Sequence, residues 1–147
     1  MHQRRAFAIV ASQYNPEYVR GLVDHATREL EALSPGATIS THEVPGAFEI
    51  PIVVQEIATR GGVEAILALG VIIRGETGHA DLIGEAVTHA LLDTGLRYRL
   101  PVVHEVLLLD NEEQARARTL GTELNRGTEA ARIAVSMAKT MADFKTR

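Results

Sequence analysis

The sequence predicts an α/β fold, a three-layer α/β/α sandwich around a four-stranded parallel sheet, and two observations carry that prediction. Short apolar runs alternate with stretches of helical periodicity in the order βαβαβαβαα, the pattern of parallel strands joined by right-handed crossovers. The third run, Ala65-Ile-Leu-Ala-Leu-Gly-Val-Ile-Ile73, is apolar without alternation, which suits a central strand covered on both faces. With so few strands the natural order is flavodoxin-like, 2-1-3-4. Such sheets bind ligands at the carboxyl ends of their strands, so the loops that follow the strands are where function is sought.

Arg5 to Ala11 reads as the first buried strand and Ser12-Gln-Tyr-Asn15 as its loop. Asn15-Pro16 signals a helix start, asparagine as cap and proline at the first helical position. Val19, Leu22, Val23, Ala26, Leu30 and Leu33 then form one apolar face. Pro35-Gly36 breaks this helix, Thr38 to Val44 reads as the second strand, and Pro45-Gly46 as the turn after it. A second helix is expected from Phe48 or Glu49 to Arg60, with Pro51 in its first turn and Ile50, Val53, Val54 and Ile57 inward. Gly61-Gly62 stops it. The organising strand follows, then a helix from about Ala80 to Leu96 and a fourth strand from Pro101 to Leu109. Asp110-Asn-Glu-Glu113 has the spacing of a capping box and opens a short helix through Arg118, which Gly121 ends. Asn125 to Thr128 start the last helix, with Ala131, Ala134, Met137, Ala138 and Met141 on one face and the two methionines as core packing.

At 147 residues, residues 1–147 are expected to form one domain with an unaided core. There is no cysteine for a disulfide framework or a thiolate metal site. The N-terminal apolar run is too short for a signal peptide and no span approaches transmembrane length, so a cytoplasmic protein without a membrane partner is expected. Acids and bases are interspersed at a net charge of -4. A nucleic-acid partner would need a basic stripe, and there is none.

The loop Arg74-Gly-Glu-Thr-Gly-His79 carries the chemistry. His79 is the strongest general acid/base, because an imidazole both gives and takes a proton near neutral pH. His2, His25, His42 and His89, at a terminus, on helices or in a strand, read as structural. A metal needs three convergent ligands and His79-x-Asp81 supplies two at most; Asp81 is better explained as a first-turn helix acid. The loop is no Walker motif, yet its N–H groups at a helix N-terminus suit one phosphate, with Thr77 adding a hydroxyl bond. Arg118 could supply a guanidinium to that phosphate, although a lone arginine in a charged helix is usually a solvated face, and spacing alone does not assign it. Glu49 reads either as a ligand-binding carboxylate or as a helix-start acid, the second having more weight from its position alone. Tyr14 reads as a ring for stacking or as a loop aromatic packed on the first helix.

Four motifs then carry a resemblance. Val44-Pro-Gly-Ala-Phe-Glu-Ile-Pro51, Gly70-Val-Ile-Ile-Arg-Gly-Glu-Thr-Gly-His79, Asn111-Glu-Glu-Gln-Ala115 and Asn125-Arg-Gly-Thr-Glu-Ala-Ala131 resemble lumazine synthase, the 6,7-dimethyl-8-ribityllumazine synthase of riboflavin biosynthesis, colinearly from about Ala6 to the final helix. The resemblance implies a transferase that condenses 5-amino-6-(D-ribitylamino)uracil with L-3,4-dihydroxy-2-butanone 4-phosphate, with neither metal nor organic cofactor. It implies His79 as the acid/base, and Thr77 and Arg118 on the phosphate with Glu76 in the same loop. Tyr14 would stack on the pyrimidine. Ala47, Phe48 and Glu49 would hold the ribityl and amine side, while Val71, Ile72 and Ile73 line the pyrimidine pocket. His104 and Arg118 would come from the neighbouring subunit of a homo-pentamer, or of a higher assembly of pentamers, with riboflavin synthase as a candidate partner. Where the family usually has an aromatic after the histidine, this chain has Ala80.

Three other readings compete. An archaeal-type riboflavin synthase is disfavoured by the intact Arg-Gly-x-Thr-x-His loop. A non-catalytic flavin-binding or shell-forming paralogue has no need of Thr77, His79, Glu49 and Arg118 together. A receiver-like signalling domain would carry an acidic cluster after strand one, where this chain has Ser12-Gln-Tyr-Asn15.

Overall fold

The computed structural model describes residues 4–75 and 78–146. Four strands, β1 (Ala6–Ser12), β2 (Thr38–Val44), β3 (Ala65–Ile73) and β4 (Val102–Leu109), form one sheet in the order β2-β1-β3-β4. All three pairings are parallel, as the alternating pattern predicts. The helices are α1 (Pro16–Leu33), α2 (Ile50–Arg60), α3 (Ala80–Tyr98), α4 (Glu112–Thr119) and α5 (Arg126–Lys145), with a single 3-10 turn at Ala47–Glu49.

Two apolar layers follow from strand alternation. Phe7, Ile9 and Ala11 of β1, with Leu67, Leu69, Val71 and Ile73 of β3, pack against α1, α4 and α5. Their alternates Ala8, Val10, Ile66 and Ala68 pack against α2 and α3. The unbroken apolar runs of β1 and β3 thus report two covered faces. β2 is an edge and mostly exposed, with only Val44 fully buried.

Several local expectations are corrected. Asn15 does not cap α1 through its side chain: it adopts the left-handed conformation at φ 58°, which asparagine tolerates, and its Nδ2 donates to the Val71 carbonyl oxygen at 2.9 Å. The cap of α4 is Asn111 rather than Asp110. Its Oδ1 accepts from the Gln114 N–H at 2.9 Å, and Gln114 Oε1 accepts from the Asp110 N–H at 2.9 Å, a reciprocal pairing one residue later than the acid spacing suggests. Leu33, the last residue of α1, is exposed. Met137 is exposed too and Met141 half-buried, because the inward stripe of α5 is made of alanine and glycine with Val135. That small stripe lets α5 approach α1 closely. A Cβ at Gly127 would run into the backbone of Leu22, and one at Gly21 into that of Thr119.

Candidate active site

The carboxyl ends of β1, β2 and β3 are laced together. The N–H groups of Gln13 and Tyr14 both donate to the Pro45 carbonyl, at 3.0 and 3.2 Å, which joins the loop after β1 to the turn after β2. The Asn15 side chain joins the same loop to β3 through Val71. Gly46 permits the closest approach: a Cβ there would lie 2.8 Å from Cε2 of Tyr14 and 3.1 Å from Oε1 of Glu49. Tyr14, Gly46 and Glu49 therefore share one corner. The 3-10 turn Ala47–Glu49 closes it and packs against α3, whose N-cap residue is His79.

Within this corner each expected residue has a definite place. Tyr14 is 67% and Phe48 64% exposed, two open aromatic faces in a chain with few rings; the tyrosine is not packed away on α1. Ala47 is buried. Glu49 acts as a helix-start acid, its Oε1 accepting from the Gly46 N–H at 2.9 Å. That bond uses one of about four lone-pair sites on a carboxylate, so the ligand reading survives beside it. Val71 and Ile73 bury their side chains in the α1/α5 layer, and the half-buried Ile72 faces the α2/α3 layer. Of the three, Ile72 alone has a side chain on the face of the sheet where α3 and His79 lie. Glu76 and Thr77 lie outside the described residues. His79 is exposed and its carbonyl oxygen accepts from the Ile83 N–H at 2.9 Å. Asp81, a first-turn acid as expected, pairs with Arg74.

His104 and Arg118 are placed elsewhere. His104 pairs with Ala68, five residues before the end of β3, or about 17 Å down the strand. Its Nδ1 accepts from the Val106 N–H at 3.1 Å and its Nε2 meets Thr88 Oγ1 at 2.8 Å. The Thr88 hydroxyl lies 2.7 Å from the Gly84 carbonyl, to which it donates. A ring with Nδ1 as acceptor and Nε2 as donor is the neutral tautomer, and burial holds its pKa below the ordinary histidine value in agreement. Arg118 lies half-buried in the last turn of α4 and pairs with no carboxylate among the described residues. α4 packs on α1 and α5, whereas α3 packs on α2 and β4. His79 and Arg118 are thus carried by helices on opposite faces of one sheet.

Two clusters escape a reading from motifs. Arg74 donates to both Asp81 and Asp110, and these carboxylates hold its pKa above the ordinary arginine value, Asp110 most. On β4, Glu105 turns toward α5, its Oε2 buried without a partner. Burial first, and then a hydrogen bond with Glu129, push the Glu105 carboxyl up to about 8. Arg126, 2.6 Å from Glu129, holds Glu129 below its usual value, with Glu105 assisting. The two carboxyls are thus pushed apart, Glu105 up and Glu129 down. The signal in the sequence is an acid between Val103 and Leu107, at an inward position of β4.

Among the described residues no three His, Cys, Asp or Glu side chains are grouped so that they could hold a metal ion. Nor is any helix among them long and apolar enough to cross a membrane. A family model described as 6,7-dimethyl-8-ribityllumazine synthase matches residues 4–142. The 6,7-dimethyl-8-ribityllumazine synthase of Burkholderia vietnamiensis (strain G4 / LMG 22486) is 43% identical over 136 residues, covering 91% of this chain and 78% of that protein. Those of Burkholderia cenocepacia (strain HI2424) and Burkholderia multivorans (strain ATCC 17616 / 249) are 43% and 41% identical, each over 91% of this chain and 77% of the relative. With the sheet order, the Pro45 to Glu49 corner and His79 at the head of α3 all in place, the chain belongs to the 6,7-dimethyl-8-ribityllumazine synthase family.

Proposed function

We propose that this chain is a lumazine synthase that condenses 5-amino-6-(D-ribitylamino)uracil with L-3,4-dihydroxy-2-butanone 4-phosphate, and that it works as a homo-oligomer, a pentamer or an assembly of pentamers, with each active site shared by two subunits. The observation that carries the reading is the split just described. Tyr14 and the turn Ala47–Glu49 share one corner, and that turn packs against α3, whose N-cap is His79, while the half-buried Arg118 sits on the opposite helical layer. A cyclic ring repeats one heterologous contact, and such a contact can bring the Arg118 of one chain to the corner of the next. Glu76 and Thr77 are assigned to the phosphate by the family motif.

In this reading the aromatic faces of Tyr14 and Phe48 position the planar pyrimidine, and the Glu49 carboxylate accepts hydrogen bonds from the ribityl and amine side. Ile72 meets the ring from the strand. Imine formation with loss of water, elimination that breaks the C–O bond to phosphate, and ring closure through a second C–N bond with loss of another water each need proton transfers between reactants held close, and an exposed imidazole at His79 can carry those transfers. The departing phosphate develops charge that Arg118 stabilises. His104, already neutral and bonded on both nitrogens, contributes shape rather than charge. Both substrates are strongly polar and one is a phosphate ester, which supports a cytoplasmic site of action.

The decisive assay mixes the two substrates with chelator present and follows lumazine absorbance. Chains carrying His79→Ala and Arg118→Ala are then unfolded together and reassembled in equal amounts. In a random ring about a quarter of interfaces pair an intact His79 with an intact Arg118, so activity recovers toward roughly a quarter of wild type if each single variant is nearly inactive. Mixed rings that form and stay at the average of the two variants would place both residues within one chain.

A further inference from the structure

Arg74 joins two regions that the proposed function assigns to different active sites. It follows the last residue of β3, and its backbone N–H donates to the Leu109 carbonyl at 2.8 Å. Its Nε and Nη2 donate to Asp81 Oδ1 at 3.3 and 3.1 Å, while Nη1 donates to Asp110 Oδ1 at 2.6 Å. Asp81 is the second residue of α3, directly after the His79–Ala80 pair. Asp110 precedes Asn111, the N-cap of α4, and its N–H is held by Gln114 Oε1. One guanidinium therefore ties the strand before His79 to the helix after it, and ties both to the head of the helix that carries Arg118.

Stability does not account for this arrangement. The side chains are 45% exposed at Arg74, 71% at Asp81 and 60% at Asp110, and ion pairs so open to water contribute little to folding. The planar fork does something else. Its donors point in fixed directions, so it fixes the relative orientation of the two carboxylates in a way that a lysine's single point charge cannot.

We propose that Arg74 is a positioning residue with two outputs: through Asp81 it sets His79 for the active site of its own chain, and through Asp110 and α4 it sets Arg118 for the site of the neighbouring chain. This inference rests on the synthase reading and its shared sites. Around a ring, every pair of successive sites would then be linked by one Arg74.

The test separates the two outputs. Asp81→Ala should lower kcat by roughly tenfold and leave KM for the phosphate substrate near wild type, because the misplaced group moves protons. Asp110→Ala should raise KM for the phosphate substrate by roughly tenfold with kcat nearly kept, if the loss is binding common to ground and transition states. Arg74→Ala should do both, and Arg74→Lys should fail to rescue either. Hydrogen exchange on the intact assembly supplies a readout independent of turnover. Asp81→Ala should speed exchange in 78–84 only, Asp110→Ala in 110–119 only, and Arg74→Ala in both. Identical kinetic patterns in the two aspartate variants, or wild-type values in all of them, would overturn the proposal. Wild-type protein that forms no lumazine would overturn the reading of function instead, and the exchange pattern alone would then decide whether Arg74 is the joint.

Discussion

At the scale of single residues, Glu105 is the side chain with the clearest consequence outside the proposed chemistry. Its folded pKa, about 8, lies above the ordinary carboxyl value of 4.5. The folded chain therefore holds this proton more tightly than the unfolded chain does. Stability is then lost as pH rises from the ordinary value through the folded one, because the unfolded state binds fewer protons across that window. Glu105→Gln keeps the shape, can donate to the Glu129 carboxylate, and has no proton to lose. The variant should melt about 2–4 °C above wild type at alkaline pH, with the gap closing toward acid. Melting curves across the range check this, and a gap independent of pH would show that Glu105 is ionised throughout. His104 teaches the complementary lesson: a histidine in a strand is held neutral because a backbone N–H takes one nitrogen and Thr88 the other.

At the scale of elements, the contact between α1 and α5 depends on the absence of side chains. Helix propensity alone says that alanine in place of a helical glycine stabilises by about 1 kcal/mol. Gly127 lies in the first turn of α5 over the Leu22 backbone, so an added methyl must push the helices apart and forfeit the packing of Ala130, Ala131 and Ala134. Gly127→Ala should therefore destabilise the chain, by about 1–3 kcal/mol as overpacked sites do. Denaturant titration measures it, and a raised midpoint would mean that α5 shifts at no cost. The same helix start is held by Asn125, whose Oδ1 accepts from Gly127 and Thr128 while its Nδ2 donates to Thr119 and Gly121. That one side chain fastens α4 to α5 explains why the motif Asn125-Arg-Gly127 is compact.

At the scale of the whole molecule, the chain leaves large apolar side chains uncovered. Leu82, Leu92 and Leu96 of α3 are 66, 60 and 71% exposed, and Ile52 of α2 is 74% exposed. All four lie on the layer opposite α1, α4 and α5. If the working form is the proposed ring, folding and association are linked, and the melting temperature should rise with protein concentration. Sedimentation of a Leu92→Asp, Leu96→Asp chain should show smaller species than wild type, with a lower melting temperature. A monomeric wild type whose melting point ignores concentration would dispose of the assembly.

Periodicity and punctuation were sufficient for the architecture, because an apolar strand run and an amphipathic helix each report their own burial locally. Helix order, the turn at Pro45-Gly46 and the place of His79 just ahead of α3 are legible in this way, while the strand order follows from the small number of parallel strands. Spacing could not say whether Glu49 is a helix acid or a ligand group, since one carboxylate can be both. It placed the cap of α4 one residue early, because Asp110 and Asn111 offer the same oxygen and only the direction of the chain leaving β4 selects between them. Period alone assigns the methionines of α5 to the core, whereas the close approach of α1 leaves room there mainly for alanine and glycine. The Glu105–Glu129 pair and the Arg74 fork belong wholly to the tertiary structure. Each joins groups from segments far apart in the chain, and their distance and shared burial, which set their energies, exist only once the sheet has formed.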